Sequence, residues 1–215
     1  MKIREIAETK RKAKEWFASY TADYDMEDPK IALKAVHTYH VAELCQTIAE
    51  SLALNEVECM AAWLSGLLHD VGRFEQIRRF NTFSDADSID HALLSTEILF
   101  GTKEDASCGR IRQVILDPSW DIYLYKAIKY HSAYRLPPDL SEMEKTYCQI
   151  LRDADKIDIF RVNLETPMED IYNTTTETLK QAEVTSEVLQ AFKERHAVLR
   201  ALKKTPVDNV VGHIS

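Results

Sequence analysis

Glycine and proline are scarce in this chain, at 5 and 6 of 215 residues. Sandwiches and barrels need many turn residues, whereas helices need few breakers, so the scarcity argues against an all-β fold. Cysteine is represented by Cys45, Cys59, Cys108 and Cys148, widely spaced and without a CxxC pair. That spacing excludes a disulfide framework or a thiolate metal cage, and buried free thiols in a reducing cytoplasm are expected. No apolar run approaches the ~20 residues that cross a bilayer. Nor is the N-terminus a signal peptide, because Lys2, Arg4, Glu5, Glu8 and Lys10 to Lys12 interrupt any apolar core. Positive charge is also in deficit: 27 Lys and Arg against 35 Asp and Glu leave a formal charge of −8. A field of that sign disfavours bulk nucleic acid and anionic membranes, while a small local basic pocket stays compatible with it.

Helical periodicity is abundant instead. In 3–20, Ile6, Ala7, Ala13, Trp16 and Phe17 recur at helical spacing among mixed charges, which predicts an amphipathic helix docked on the domain. Asp28-Pro29 opens a long helix through Ile31, Val36, Val41, Leu44, Ile48 and Leu52. Asn55 with Glu58 reads as a capping box for the next, which runs to His69-Asp70 and is expected to end at Gly72. Residues 73–88 are polar and predict an irregular, functional loop. Further helices are expected over 89–100, 104–116, 119–131, 141–165 and 176–203. The terminal stretch 209–215 lacks a capping signal and reads as a frayed tail or a cut in a longer chain. The predicted architecture is an all-α helical bundle, divided into an N-terminal helix and linker (1–28), a core (29–165) and a helical extension of the same domain (166–215).

Six residues carry the chemistry: His37, His69, Asp70, His91, His131 and Asp155. Imidazole and carboxylate together suit Zn, Fe, Mn, Co or Ni, and the residues come about one per helix, as ligands of a metal inside a bundle do. Neighbours on a regular helix point about 100° apart, so His69 and Asp70 can share a target only where the helix ends. An aspartate there offers two oxygens and can bridge two ions.

The segments His37-Thr38-Tyr39-His40-Val41, Gly66-Leu67-Leu68-His69-Asp70-Val71-Gly72 and Ala154-Asp155-Lys156-Ile157-Asp158 resemble, in order, the three signatures of the HD superfamily of metal-dependent phosphohydrolases. Between them, His91-Ala92-Leu93-Leu94 and Ile128-Lys129-Tyr130-His131 resemble the two extra histidine motifs of its binuclear members. The resemblance spans about 31–160 and implies an HD-domain bundle. It implies that His37, His69, Asp70 and Asp155 bind one divalent transition metal and that His91 and His131 bind a second, with Asp70 shared. The Ala-Asp-Lys-Ile framing selects Asp155 over Asp153, and Asp158 becomes a supporting or structural residue. The implied activity is hydrolysis of a phosphate ester or anhydride of a nucleotide or small metabolite, by water activated at the metal. Asp70, Arg73 and Lys156 are the residues expected to act on the substrate.

The same ligand order occurs in mixed-valence diiron oxygenases similar to this family, and a non-catalytic module that senses nucleotides through its metal is a third reading. A Gly-Tyr-Pro motif is missing after His131, which argues against cyclic di-GMP as substrate. The spacing is nearer to proteins that cleave symmetric dinucleoside tetraphosphates, but 73–88 does not match theirs. Among other residues, His40 is expected to be a partly buried, satisfied histidine, with a pocket-lining role as the alternative. Arg78 and Arg79 are either phosphate contacts or solvated surface charges, and Lys129 a neighbour of His131. His196 and His213 are ordinary. Expected partners are a small phosphate or nucleotide and, as an open alternative, a second copy of the chain.

Overall fold

The computed structural model describes residues 3–102 and 104–214, and no strand occurs among them. The described residues fall into two compact units, divided between Asp158 and Ile159.

In the first unit the long helices begin where capping chemistry places them. Helix α1 spans Ile3–Thr21 and buries Ala13, Phe17 and Tyr20. Helix α2, Pro29–Ser51, starts at Asp28, whose side chain accepts the Lys30 N–H, with Pro29 in the first turn. Helix α3, Glu56–Leu68, opens on a complete Asn55/Glu58 capping box. Every residue of α3 from Cys59 to Leu68 is buried, as expected of a helix that is apolar all round. Gly66 makes this position possible. A Cβ there would meet the Ala42 Cα at 2.6 Å, so only glycine lets α2 and α3 approach this closely.

Helix α3 stops at Leu68, and His69 and Asp70 form the corner before α4, Val71–Phe80. The predicted end at Gly72 and the irregular loop from 73 are therefore corrected. Val71, Phe74 and Ile77 are buried at helical spacing and hold the chain helical through a charge-rich stretch. Gly72 is needed for packing rather than termination, since a Cβ there would lie 2.5 Å from the His91 carbonyl oxygen. Irregular backbone is confined to 81–90, with a 3-10 turn at Asp85–Asp87, before α5, His91–Phe100. The helix expected over 104–116 reduces to a 3-10 turn at Ala106–Cys108 and α6, Ile111–Val114. There the chain folds back on α5, with the Arg110 N–H bonded to the Ile98 carbonyl. Helix α7, Asp121–Tyr130, and α8, Glu142–Glu165, follow their predicted spans.

The second unit comprises the end of α8, then α9 (Met168–Tyr172), α10 (Thr176–Gln181), α11 (Ser186–Lys193) and α12 (Pro206–Ile214). The single helix expected over 176–203 is thus broken, and the terminal stretch, read as a frayed tail or a cut, is helical through Ile214. The break is set by a residue distant in sequence. The buried Asp208 carboxylate accepts hydrogen bonds from the Thr185 N–H and hydroxyl and from the Lys204 and Thr205 N–H groups. An N–H bonded to that carboxylate cannot close a continuous helical ladder through Thr185. All four cysteines are free, and Cys108 alone among them is exposed. No helix among the described residues is long and apolar enough to cross a membrane.

Candidate metal centre

The six predicted residues converge from five places in the first unit: α2, the α3–α4 corner, the start of α5, the end of α7 and α8. His37, His69, Asp70, His91 and His131 are all buried, and the Asp155 side chain is 18% exposed. His69 and His131 each occupy a helix C-cap, and each donates its Nδ1 proton at 2.7 Å to the carbonyl three residues back, of Gly66 and Ile128. A helix end leaves such carbonyls without intrahelical partners, so one interaction caps the helix and fixes the ring. His37 donates Nδ1 to Asp158 Oδ2 at 2.7 Å, and His91 donates Nδ1 to Asp85 at 2.8 Å.

With every Nδ1 proton directed outward, each Nε2 points inward, where a cation would displace any proton that it carries. Asp70 stands between two pairs of these nitrogens. Its Oδ2 lies 3.8 Å from His37 Nε2 and 3.3 Å from His69 Nε2. Its Oδ1 lies 3.6 Å from both His91 Nε2 and His131 Nε2. Asp155 Oδ1 closes the first pair, 3.0 Å from His37 Nε2 and 3.7 Å from His69 Nε2. Asp70 occupies the N-cap of α4 without accepting a capping bond, so its carboxylate is turned to the cluster.

Several observations fit this donor set to divalent ions. His37 Nε2, His69 Nε2 and Asp70 Oδ1 are buried polar atoms with no hydrogen-bond partner among the described residues. His91 and His131 face each other Nε2 to Nε2 at 3.0 Å, an arrangement of two lone pairs that requires a proton or a cation between them. Two buried groups, His37–His69–Asp70 and Asp70–His91–His131, each bring three ligand atoms within 4.8 Å of one another. Burial opposes charge on Asp70, but His69 and Lys34 outweigh it and hold its carboxyl well below the usual range. Burial likewise opposes a proton on His69, yet Asp70 and Asp155 pull it up to about 9. On His91, burial and the Arg73 charge push the imidazole down to about 4. Nitrogen and carboxylate oxygen without thiolate suit borderline and harder divalent metals, whose identity the donors do not select.

The other predicted residues are sorted by position. Asp153 is exposed and lines a separate groove with Tyr134 and Arg152, whereas Asp155 faces the imidazoles. His40 is exposed, which corrects the partly buried reading: one turn beyond His37, it lies at the solvent-facing margin of the same side of α2. Arg78 and Arg79 are more than half exposed and both pair with Glu75, which makes them surface charges of α4. Lys129 sits over the Tyr125 and Tyr130 rings. Lys156 is exposed next to Asp155. The Arg73 guanidinium donates to Gln76 Oε1, the Phe83 carbonyl and Asp85 Oδ1. Two contributors escaped the sequence reading. Asp85 carries no motif and is brought to His91 only by the turn at 85–87. Lys34, whose Nζ is 2.7 Å from Asp70 Oδ2, could have been found as the residue one turn before His37.

The family model of the HD domain matches residues 35–160. No curated protein and no solved structure matches the chain.

Proposed function

The chain belongs to the HD domain family, and on that premise we propose that it is a metal-dependent phosphohydrolase acting on a nucleotide or a small phosphorylated metabolite. The observation that carries this reading is the division of Asp70, one oxygen toward His37 and His69 and the other toward His91 and His131. His37, His69, Asp70 and Asp155 are the residues that would hold one divalent ion, and His91, His131 and Asp70 those that would hold a second. Bound ions of this kind lower the pKa of water from about 16 toward 7 and offset charge on phosphoryl oxygens.

The chain's own groups supply the rest. Gly66, Ile128, Asp158 and Asp85 keep the four imidazoles in one tautomer and one orientation, so little reorganisation is needed on binding. Asp155, partly exposed, marks the side on which solvent and substrate reach the buried cluster. Lys156, exposed beside it, can meet an incoming anion as a compact point charge.

The test is a screen of phosphomonoesters, phosphodiesters and nucleotides against protein loaded separately with Mn, Fe, Co, Ni and Zn, with metal content measured in each sample. Release of phosphate or of a cleaved nucleotide by a loaded sample supports the reading. Oxygen uptake coupled to turnover would replace it with oxygenase chemistry. Nucleotides that raise the melting temperature yet stay intact would replace it with a sensing module.

A further inference from the structure

Resting on that reading, we propose that Lys34 is the residue that grips the transferred phosphoryl group, and that Arg73 is a positioning residue for His91. Lys34 lies on α2 one turn before His37, so both side chains emerge from the same face of the helix. It also lies one residue before the segment that matches the family. Its ammonium reaches Asp70 Oδ2 at 2.7 Å while the side chain keeps 13% exposure, so it touches the cluster and solvent together. Of its three N–H donors, one is used on Asp70, and no other hydrogen bond to the ammonium occurs among the described residues. The Phe83 ring, 5.4 Å from Nζ, flanks it.

Asp70 is also the shared carboxylate of the two histidine pairs. A divalent ion held there competes with Lys34 for the same oxygen. With Asp70 occupied by an ion, the ammonium would stand beside the ligand set with unused donors, a position suited to an anionic phosphoryl group.

Arg73 is engaged through one nitrogen. Its Nη1 is used on Gln76, the Phe83 carbonyl and Asp85, and Asp85 in turn accepts the Nδ1 proton of His91. Gln76 Nε2 adds hydrogen bonds to Asp85, Ser88 and the Ile89 carbonyl, fixing the same turn. Its Nε lies 3.8 Å from Asp70 Oδ1, so the guanidinium borders the cluster directly while its Nη1 holds the Asp85 carboxylate against His91.

The experiment compares wild type with Lys34→Met, Lys34→Arg and Arg73→Lys, each metal-loaded, using metal content, calorimetric titration with inorganic phosphate, and steady-state kinetics on a phosphate ester from the screen. Lys34→Met is expected to keep its metal, bind inorganic phosphate about ten- to a hundredfold more weakly and raise KM more than it lowers kcat. Lys34→Arg, which keeps the charge, should recover most of the phosphate affinity. Arg73→Lys should lower occupancy of one ion while phosphate affinity in fully loaded protein stays near wild type. If Lys34→Met matches wild type in phosphate affinity and KM while wild type turns over, the Lys34 assignment falls and the hydrolase reading stands. If Lys34→Met loses metal, Lys34 supports the centre and does not bind substrate. Wild type that holds metal but neither binds nor cleaves phosphate overturns both.

Discussion

At the residue scale, four imidazoles and a carboxylate packed out of water form a costly arrangement unless a cation joins them. Asp70 carries the most weight, because both histidine pairs face it and no other side chain can replace both oxygens. Asp70→Ala is expected to lose bound metal at both positions and all measurable activity, as read by metal analysis on folded protein. The outer partners should separate the two positions. Asp158→Ala releases His37, and Asp85→Ala releases His91, so each should weaken one metal equivalent by about ten- to a hundredfold. Metal titrations that found the two variants alike, or both like wild type, would contradict the division at Asp70. The ligand histidines were legible because each sits in a motif of several residues. Asp85 was not, because a lone aspartate in a polar stretch carries no signal until the turn at 85–87 delivers it to His91.

At the element scale, the site depends on helix ends and on how closely helices approach. Gly66 sets the distance between α2, which bears His37, and α3, which ends at His69. Gly66→Ala must push the Ala42 backbone away, with an expected loss of about 1–3 kcal/mol in chemical denaturation and weaker metal binding. The second unit offers a separate test. Burial works to raise the Asp208 carboxyl, but the Thr185 hydroxyl and the facing N–H groups outweigh it and hold it below the usual carboxylate range. A lowered carboxyl pKa stabilises the folded form above the unfolded value, about 3.9, and the contribution is lost as pH falls through that range. Asp208→Ala leaves those N–H groups unpaired, and a cost of about 1–3 kcal/mol is expected at pH 7. The gap between wild type and variant, followed by hydrogen exchange of 182–208, should narrow below about pH 4. A gap that stayed constant with pH would show that the charge on Asp208 contributes nothing.

At the scale of the whole molecule, every group of the candidate centre lies in the unit 1–158, drawn from segments separated by up to 118 residues between His37 and Asp155. A ligand that ties such segments together stabilises the folded chain by mass action. An ion present at a hundred times its dissociation constant contributes about 2.7 kcal/mol. Chelation is therefore expected to lower the melting temperature and to speed hydrogen exchange around 34–38, 66–73 and 128–131. Exchange in those segments that ignored the chelator would argue against a metal at the cluster. The formal charge of −8 favours the arrival of cations and opposes anionic substrates, which makes a local cation such as Lys34 matter more than its single charge suggests.

By itself, the sequence determined the long helices α1 to α3, α7 and α8 and the candidate ligand residues. Apolar residues at helical spacing, Pro29 in a first turn and the Asn55/Glu58 box are local chemistry, and local chemistry is readable one window at a time. The motif histidines and Asp155 are likewise carried by short runs of neighbouring residues. Tertiary structure decided what depends on approach across the chain. It placed Gly72 in a helix rather than at its end, because Val71, Phe74 and Ile77 find a core to bury in. It broke the helix expected over 176–203, because Asp208 binds the Thr185 N–H from 23 residues away. It also brought Lys34 to one oxygen of Asp70 and set Arg73 between the other oxygen and Asp85, an arrangement that depends on which anions each cation meets in space.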